Sequence, residues 1–259
     1  MSITQIDFYY FSGTGNTELV VKKMRDVFAS HKIPVSVNRI EKSDPKKINL
    51  NNTIGIAFPV AMFSTYPLVW DFVKALPEAN GNQVFMVDTC GASSYGGVIG
   101  HMKSVLKKKG YRPLFAKEIV MPENIFFIEP EEVNKKKIEK GLKKAGEYAG
   151  EIIAGGGEWR KIPVWSDAMY WFAMSIFWLA GLKIHQKIFL FKVDRKKCTK
   201  CGLCAALCPV KNIEMKGYPV YGYRCQYCLR CSGICSVGAI PVVYNCKKKS
   251  YKAPGAEFD

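Results

Sequence analysis

The chain has 259 residues, 48% of them hydrophobic, and 38 Lys+Arg against 22 Asp+Glu give a formal net charge of +16. Such a length fits one large domain or two small ones, and the composition excludes a disordered chain. The ten cysteines are too few for a disulfide scaffold, and eight of them fall between Cys198 and Cys235, so they mark a local site. No cationic leader precedes the first apolar segment, and the longest uncharged apolar run, Ala168–Leu182, has 15 residues where a spanning helix needs roughly 20. A cytoplasmic protein with reduced thiols and no transmembrane span is expected.

Ile3–Phe11 is rich in β-branched and aromatic residues and reads as a strand. A helix follows from near Asn16, with Leu19, Val20 and Val27 on one side. Pro34–Ile40 alternates at strand period, Thr53–Phe58 is a short apolar run ending in proline, and Leu68–Leu76 reads as a helix. Gln83–Asp88 is the next strand, then a glycine-rich turn and a helix over Val98–Lys109. Arg112–Val120 gives a fifth strand and Pro130–Ala154 a final helix. Five β-then-α units predict an α/β domain, a doubly wound parallel sheet with helices on both faces, over residues 1–157. Gly155-Gly156-Gly157 closes it. Residues 158–192 hold Trp159, Trp165, Trp171 and Trp178 with four phenylalanines. They predict one or two helices packed against both domains or against a second copy in a homo-oligomer; a membrane-surface helix is the competing reading. Residues 193–246 form a cysteine-rich module, and 247–259 a basic tail expected to fray.

The module is the sharpest signal. Cys198-x2-Cys201-x2-Cys204-x3-Cys208-Pro209 recurs 27 residues later as Cys225-x2-Cys228-x2-Cys231-x3-Cys235. Three thiolates at i, i+3 and i+6 wrap the backbone around one cubane, and a remote cysteine supplies the fourth. Structural zinc prefers paired ligands across a long loop, and no histidine lies near. The pattern resembles bacterial two-cluster ferredoxins. That resemblance implies one [4Fe–4S] cluster on Cys198, Cys201, Cys204 and Cys235, and a second on Cys225, Cys228, Cys231 and Cys208. Ser236 stands where the first copy has Pro209, returning an N–H beside Cys235 that is expected to reach cluster sulfur and shift its potential.

Between the first strand and first helix lie Ser12, Gly13, Thr14, Gly15, Asn16 and Thr17. Glycines let a backbone approach a phosphate, while hydroxyls, the amide and a helix N-terminus supply donors. There is no Walker lysine, no G-x-G-x-x-G spacing and no cation. The loop resembles the phosphate loop of flavodoxins, which implies FMN and a five-stranded sheet in the order 2-1-3-4-5. Two further loops fall where that fold places its flavin-ring contacts: Pro59, Val60, Ala61, Met62 and Phe63 after the third strand, and Thr89, Cys90, Gly91, Tyr95, Gly96 and Gly97 after the fourth. Which of Met62, Phe63, Tyr66 or Tyr95 meets the ring stays open, and Cys90 reads as a small packed residue. Together the parts resemble flavodoxin–ferredoxin fusion proteins, and the resemblance covers residues 1–155 and 193–245.

Charge is uneven: residues 1–160 carry 22 Lys+Arg against 17 Asp+Glu, residues 161–259 carry 16 against 5. Part of the second excess offsets the charge of thiolate-bound clusters, and the rest favours an acidic redox partner protein. No nucleic-acid motif is visible. The expected function is electron transfer, single electrons passing between two [4Fe–4S] clusters, FMN and a partner; the alternative is an FMN-dependent reductase of a small-molecule substrate fed by the clusters. No catalytic side chain is assigned.

Overall fold

The computed structural model describes residues 3–61, 63–92, 97–125, 127–156, 158–159, 171, 175, 191–242 and 250–258. Five strands, β1 (Ile6–Tyr10), β2 (Val35–Arg39), β3 (Thr53–Pro59), β4 (Gln83–Cys90) and β5 (Arg112–Val120), form one sheet in the order β2-β1-β3-β4-β5. Every neighbouring pair is parallel. β1 is buried along its whole length because parallel strands are covered on both faces. Its side chains still alternate. Ile6, Phe8 and Tyr10 join one core with Val20, Met24, Phe28 and Tyr148, from α1 (Asn16–Ser30) and α4 (Glu131–Ala154). Tyr9 and Phe11 join the other with Phe72 and Met102, from α2 (Pro67–Ala75) and α3 (Gly97–Lys108). The Tyr148 hydroxyl donates to the Met86 carbonyl at 2.8 Å, satisfying a buried phenol.

From β1 the chain crosses outward to β2 and then returns to β3 on the other side. The strand order therefore reverses beside β1, and a crevice opens at the carboxyl ends of β1, β3 and β4. Of the aromatic connector, Trp159 is described in the first domain's core: it bridges Ala116 in parallel, and its indole N–H donates to Ile99 O at 3.2 Å. Most of 158–192 lies outside the described residues.

The cysteine module contains two one-turn helices, α5 (Leu203–Ala206) and α6 (Arg230–Gly233), and an antiparallel hairpin of β6 (Ile213–Lys216) and β7 (Tyr218–Tyr221). Phe191, Leu229, Ile240 and Val242 form its small core. The tail departs from expectation: residues 250–258 are docked, with Tyr251, Ala253, Ala256 and Phe258 buried together against Leu19, Leu207 and Ile234. Apolar side chains spaced through this segment outweigh the lysine run before it; Lys247, Lys248 and Lys249 lie outside the described residues. Among the described residues no helix is long and apolar enough to cross a membrane.

Candidate functional site

The loop after β1 is held by its own side chains. Phe11 N–H donates to Ala57 O at 2.9 Å, and Ser12 Oγ accepts from Gly15 N–H at 3.0 Å. Gly15 stands before α1 at φ +103, a conformation closed to most side chains. The first N–H groups of α1 have no partner within the helix. Among the described residues, none accepts from the backbone N–H of Gly13, Thr14, Asn16 or Thr17. Side chains tie the loop to the neighbouring strand ends: Thr17 Oγ1 and Thr89 Oγ1 share a hydrogen bond of 2.7 Å, Asn16 Nδ2 donates to Pro122 O at 2.8 Å, and Asn124 Nδ2 donates to Thr14 Oγ1 at 2.8 Å.

These elements enclose a cleft of about 300 Å³, the lower end of ligand-site volumes. It gathers Ser12, Gly13, Thr14, Asn16, Thr17, Pro59, Val60, Ala61, Phe63, Thr89, Cys90 and Gly91, as the sequence leads one to expect, with Tyr66 at its wall. Gly15 is not in the described lining; Met62, Tyr95 and Gly96 lie outside the described residues, and of Gly97 only its place at the start of α3 is described. The Cys90 thiol is buried, 3.9 Å from Ile119 O, as a packed residue. Phe63 sits exposed on the rim at φ 62 in the turn closed by Ala61 and Ser64, backbone strain of the kind found at ligand clamps. Ala92 of the loop after β4 also lines the cleft; sequence reading missed the loop 121–125 after β5, although the carboxyl end of a fifth parallel strand is itself a signal. Orphaned N–H groups on a helix N-terminus, above an apolar cleft, fit a phosphorylated flat-ring cofactor such as FMN.

The loop glycines also have a packing reason that the sequence does not show. A Cβ on Gly13 would lie 2.1 Å from the carbonyl oxygen of Cys228, and one on Gly15 would lie 2.3 Å from Ala256 Cβ. Both glycines admit the back of the loop to the cysteine module and the docked tail, a demand separate from the approach of a phosphate to its front. The tail adds Ala253 N–H to Thr14 O at 2.8 Å and Tyr251 Oη to Asn16 Oδ1 at 2.8 Å. Arg230, between Cys228 and Cys231, enters the same seam. Its Nη2 donates to Ser12 O at 2.8 Å and its Nη1 to Leu207 O at 3.3 Å. Glu41 Oε1 stands 2.6 Å from Nη2 as an ion pair without hydrogen-bond alignment, the two side chains 6% and 4% exposed.

The eight cysteines fall into two groups in space. Cys198, Cys201, Cys204 and Cys235 line one cavity, which Cys231 also lines. Cys208 is close enough to Cys225, Cys228 and Cys231 for its charge to push all three thiols up. Burial is the larger cause throughout: it pushes Cys228 up to about 11, opposed chiefly by the Arg230 charge. Thiols held neutral by burial ionise once a metal centre supplies the compensating charge. Among the described residues no three potential ligands converge on a single ion, and a cubane, with each thiolate on its own iron, asks for no such point. The donor set therefore fits [4Fe–4S] chemistry.

The repeat shows in hydrogen bonds: Asn212 N–H donates to Cys208 Sγ and Ala239 N–H to Cys235 Sγ, both at 3.2 Å and both from four residues on. The donor to Cys235 is thus Ala239. Ser236 N–H has no protein acceptor among the described residues. A further asymmetry between the halves is Tyr221, whose hydroxyl stands 3.7 Å from Cys231 Sγ. Tyr66 is buried beside the other end of this set, its phenol raised well above the ordinary value by burial and then by Cys228 and Cys225.

Residues 191–214 match the family model of a 4Fe-4S binding domain. A stretch of 28 residues is 54% identical to one component of the ion-translocating oxidoreductase complex of Methanosarcina acetivorans, spanning 11% of this chain and 11% of that relative's length. By shape the chain is similar to a flavodoxin from Streptococcus pneumonia TIGR4, at 17% identity and TM-score 0.42 over 57% of this chain and 99% of that one. It is also similar to oxidised Flavodoxin 2 from Bacillus cereus, at 17% identity and TM-score 0.43 over 57% and 99%. The all-parallel sheet in the order 2-1-3-4-5 is itself the flavodoxin-like fold. The chain joins a flavodoxin-like fold to a segment that matches a 4Fe–4S binding domain.

Proposed function

We propose that the chain is a flavo-iron–sulfur electron carrier, with FMN in the cleft after β1 and two [4Fe–4S] clusters on the two cysteine groups. The observation that carries this reading is the contact of Gly13 with the Cys228 carbonyl: the phosphate loop and one cysteine group share a single packed seam. Bound there, FMN supplies both one- and two-electron chemistry and the clusters one electron each. Loop residues 12–17 hold the phosphate by backbone N–H groups, and Tyr66, Phe63 and Val60 give the ring apolar walls.

The two cysteine groups differ in position. The group of Cys208, Cys225, Cys228 and Cys231 is the inner one, against Gly13 and Tyr66, while Gln226 fixes it to α2 by accepting from Leu68 N–H at 3.1 Å. The group of Cys198, Cys201, Cys204 and Cys235 is the outer one. Cys201, Leu203 and Val237 are exposed there beside Arg195, Lys196, Lys197 and Lys200. A basic rim around an apolar centre suits a partner with an acidic docking face, whose approach it accelerates. The test is cofactor content: anaerobically prepared protein should hold about eight irons on the two-cubane count and one FMN. Zinc in place of iron, or a tightly bound flavin lacking the phosphate, would overturn the assignment.

A further inference from the structure

The cleft and its loop have an electrostatic gap. A flavin phosphate is anionic, yet Glu123 is the only charged side chain among the described lining residues. No cation stands from Phe11 to Thr17. The first turn of α1 adds Glu18, which is taken up by Lys22 at 2.9 Å and by Glu257 N–H at 3.0 Å. Neutral donors alone would face the phosphate from the front.

Behind the loop sits Arg230, buried at 4% exposure. Its guanidinium lies over the Phe11 ring at 5.4 Å and the Phe258 ring at 5.2 Å, which fixes its plane. Its Nη2 binds the Ser12 carbonyl at 2.8 Å. In a planar trans peptide the carbonyl and the next N–H point in opposite directions. The other end of the unit held by Arg230 is therefore the Gly13 N–H, one of the groups without a protein acceptor. A cation on the oxygen end polarises the peptide and strengthens the N–H as a donor, the more so in a dry seam of low dielectric.

Resting on the FMN reading above, we propose that Arg230 is the positioning cation of the phosphate site, lent by the cysteine module and acting through the Ser12–Gly13 peptide without touching the ligand. Glu41 balances it when the site is empty and holds the guanidinium in the seam. The flavin site is thus completed by a residue that sits between two cluster ligands. Lysine would keep the charge but not the fork that spans Ser12 O and Leu207 O.

The test compares FMN with riboflavin, which has the same ring and no phosphate, in anaerobic titrations of flavin-depleted protein. Arg230→Met should weaken FMN about tenfold or more, as expected when a buried charge-assisted contact is lost, and leave riboflavin affinity within about twofold of wild type. Arg230→Met with Glu41→Gln leaves no buried charge unpaired, and should show the same FMN-selective loss to a smaller degree. Arg230→Lys should recover part of it. If FMN and riboflavin weaken together, or neither weakens in the double variant, the inference is overturned. If wild type binds neither flavin, the FMN reading itself fails, which is a different outcome. Should the single variant not accumulate, the double variant decides.

Discussion

Replacing Gly13 with alanine isolates the seam between the two domains. Gly13 is not among the positive-φ residues, so alanine meets no backbone strain and only the new Cβ matters. That Cβ would stand 2.1 Å from the Cys228 carbonyl oxygen, where ordinary contact begins at 3.4 Å, so the two backbones must part by about 1.3 Å. Overpacking between well-packed elements costs roughly 1–3 kcal/mol. The same displacement carries Arg230 Nη2 from 2.8 Å beyond hydrogen-bond reach of Ser12 O, adding about 1 kcal/mol or more for a charged donor. A loss of about 2–4 kcal/mol is expected from these two terms. The assay is anaerobic urea unfolding of the full chain, followed through cluster absorbance and far-ultraviolet dichroism. Gly150→Ala is the control: it lies inside α4 with nothing within 4 Å of its Cβ, and should stabilise by about 0.5–1 kcal/mol. If Gly13→Ala stays within about 0.5 kcal/mol of wild type, the magnitude usual for surface changes, the seam is not packed as described.

Cys235→Ala should lose the cluster that Cys201→Ala loses and keep the one that Cys228→Ala loses, read from spectra of the reduced proteins. Matching Cys228→Ala would refute the interleaved grouping of ligands. Tyr111 is buried with its hydroxyl donating to Pro77 O at 3.0 Å, and burial, then Glu78 and Tyr9, pushes its phenol up to about 12. Because the folded value lies above the ordinary one near 10, its contribution is complete below pH 10 and is lost as pH rises through 12. Tyr111→Phe should therefore flatten the alkaline decline in anaerobic stability across that window, and an unchanged slope would sink the assignment.

The α/β domain was legible because its signals are local. Arg112–Val120 has the same bounds in sequence and structure, and α2 and α4 shift by a residue or so at their ends. β1 begins at Ile6, where both partner strands begin to pair, and its apolar run alone does not show that start. Cysteine spacing carried the module for the same reason. What escaped depends on residues far apart in the chain. That Gly13 also packs against Cys228 shows only once Cys228 is placed behind it, and Arg230 looks like a spacer inside a cysteine motif until Ser12 O is placed before it. The wall formed by residues 121–125 carries no glycine or hydroxyl run, so only the sheet order points to it. In the tail, the lysines drew attention from Tyr251, Ala253, Ala256 and Phe258.

The docked tail also bears on how the molecule comes into being. Tyr251 meets Asn16 across 235 residues, and Glu257 meets Glu18 across 239. On the ribosome the loop after β1 is made early, while the segment that seals its back emerges only after the whole cysteine module. Contacts this distant in sequence form late and slowly, and an unfinished surface stays exposed meanwhile. The nascent loop can have its hydroxyls and helix terminus in place and still lack its rear wall. Assembly is thereby given a direction in time, with the loop after β1 written early and its back closed late.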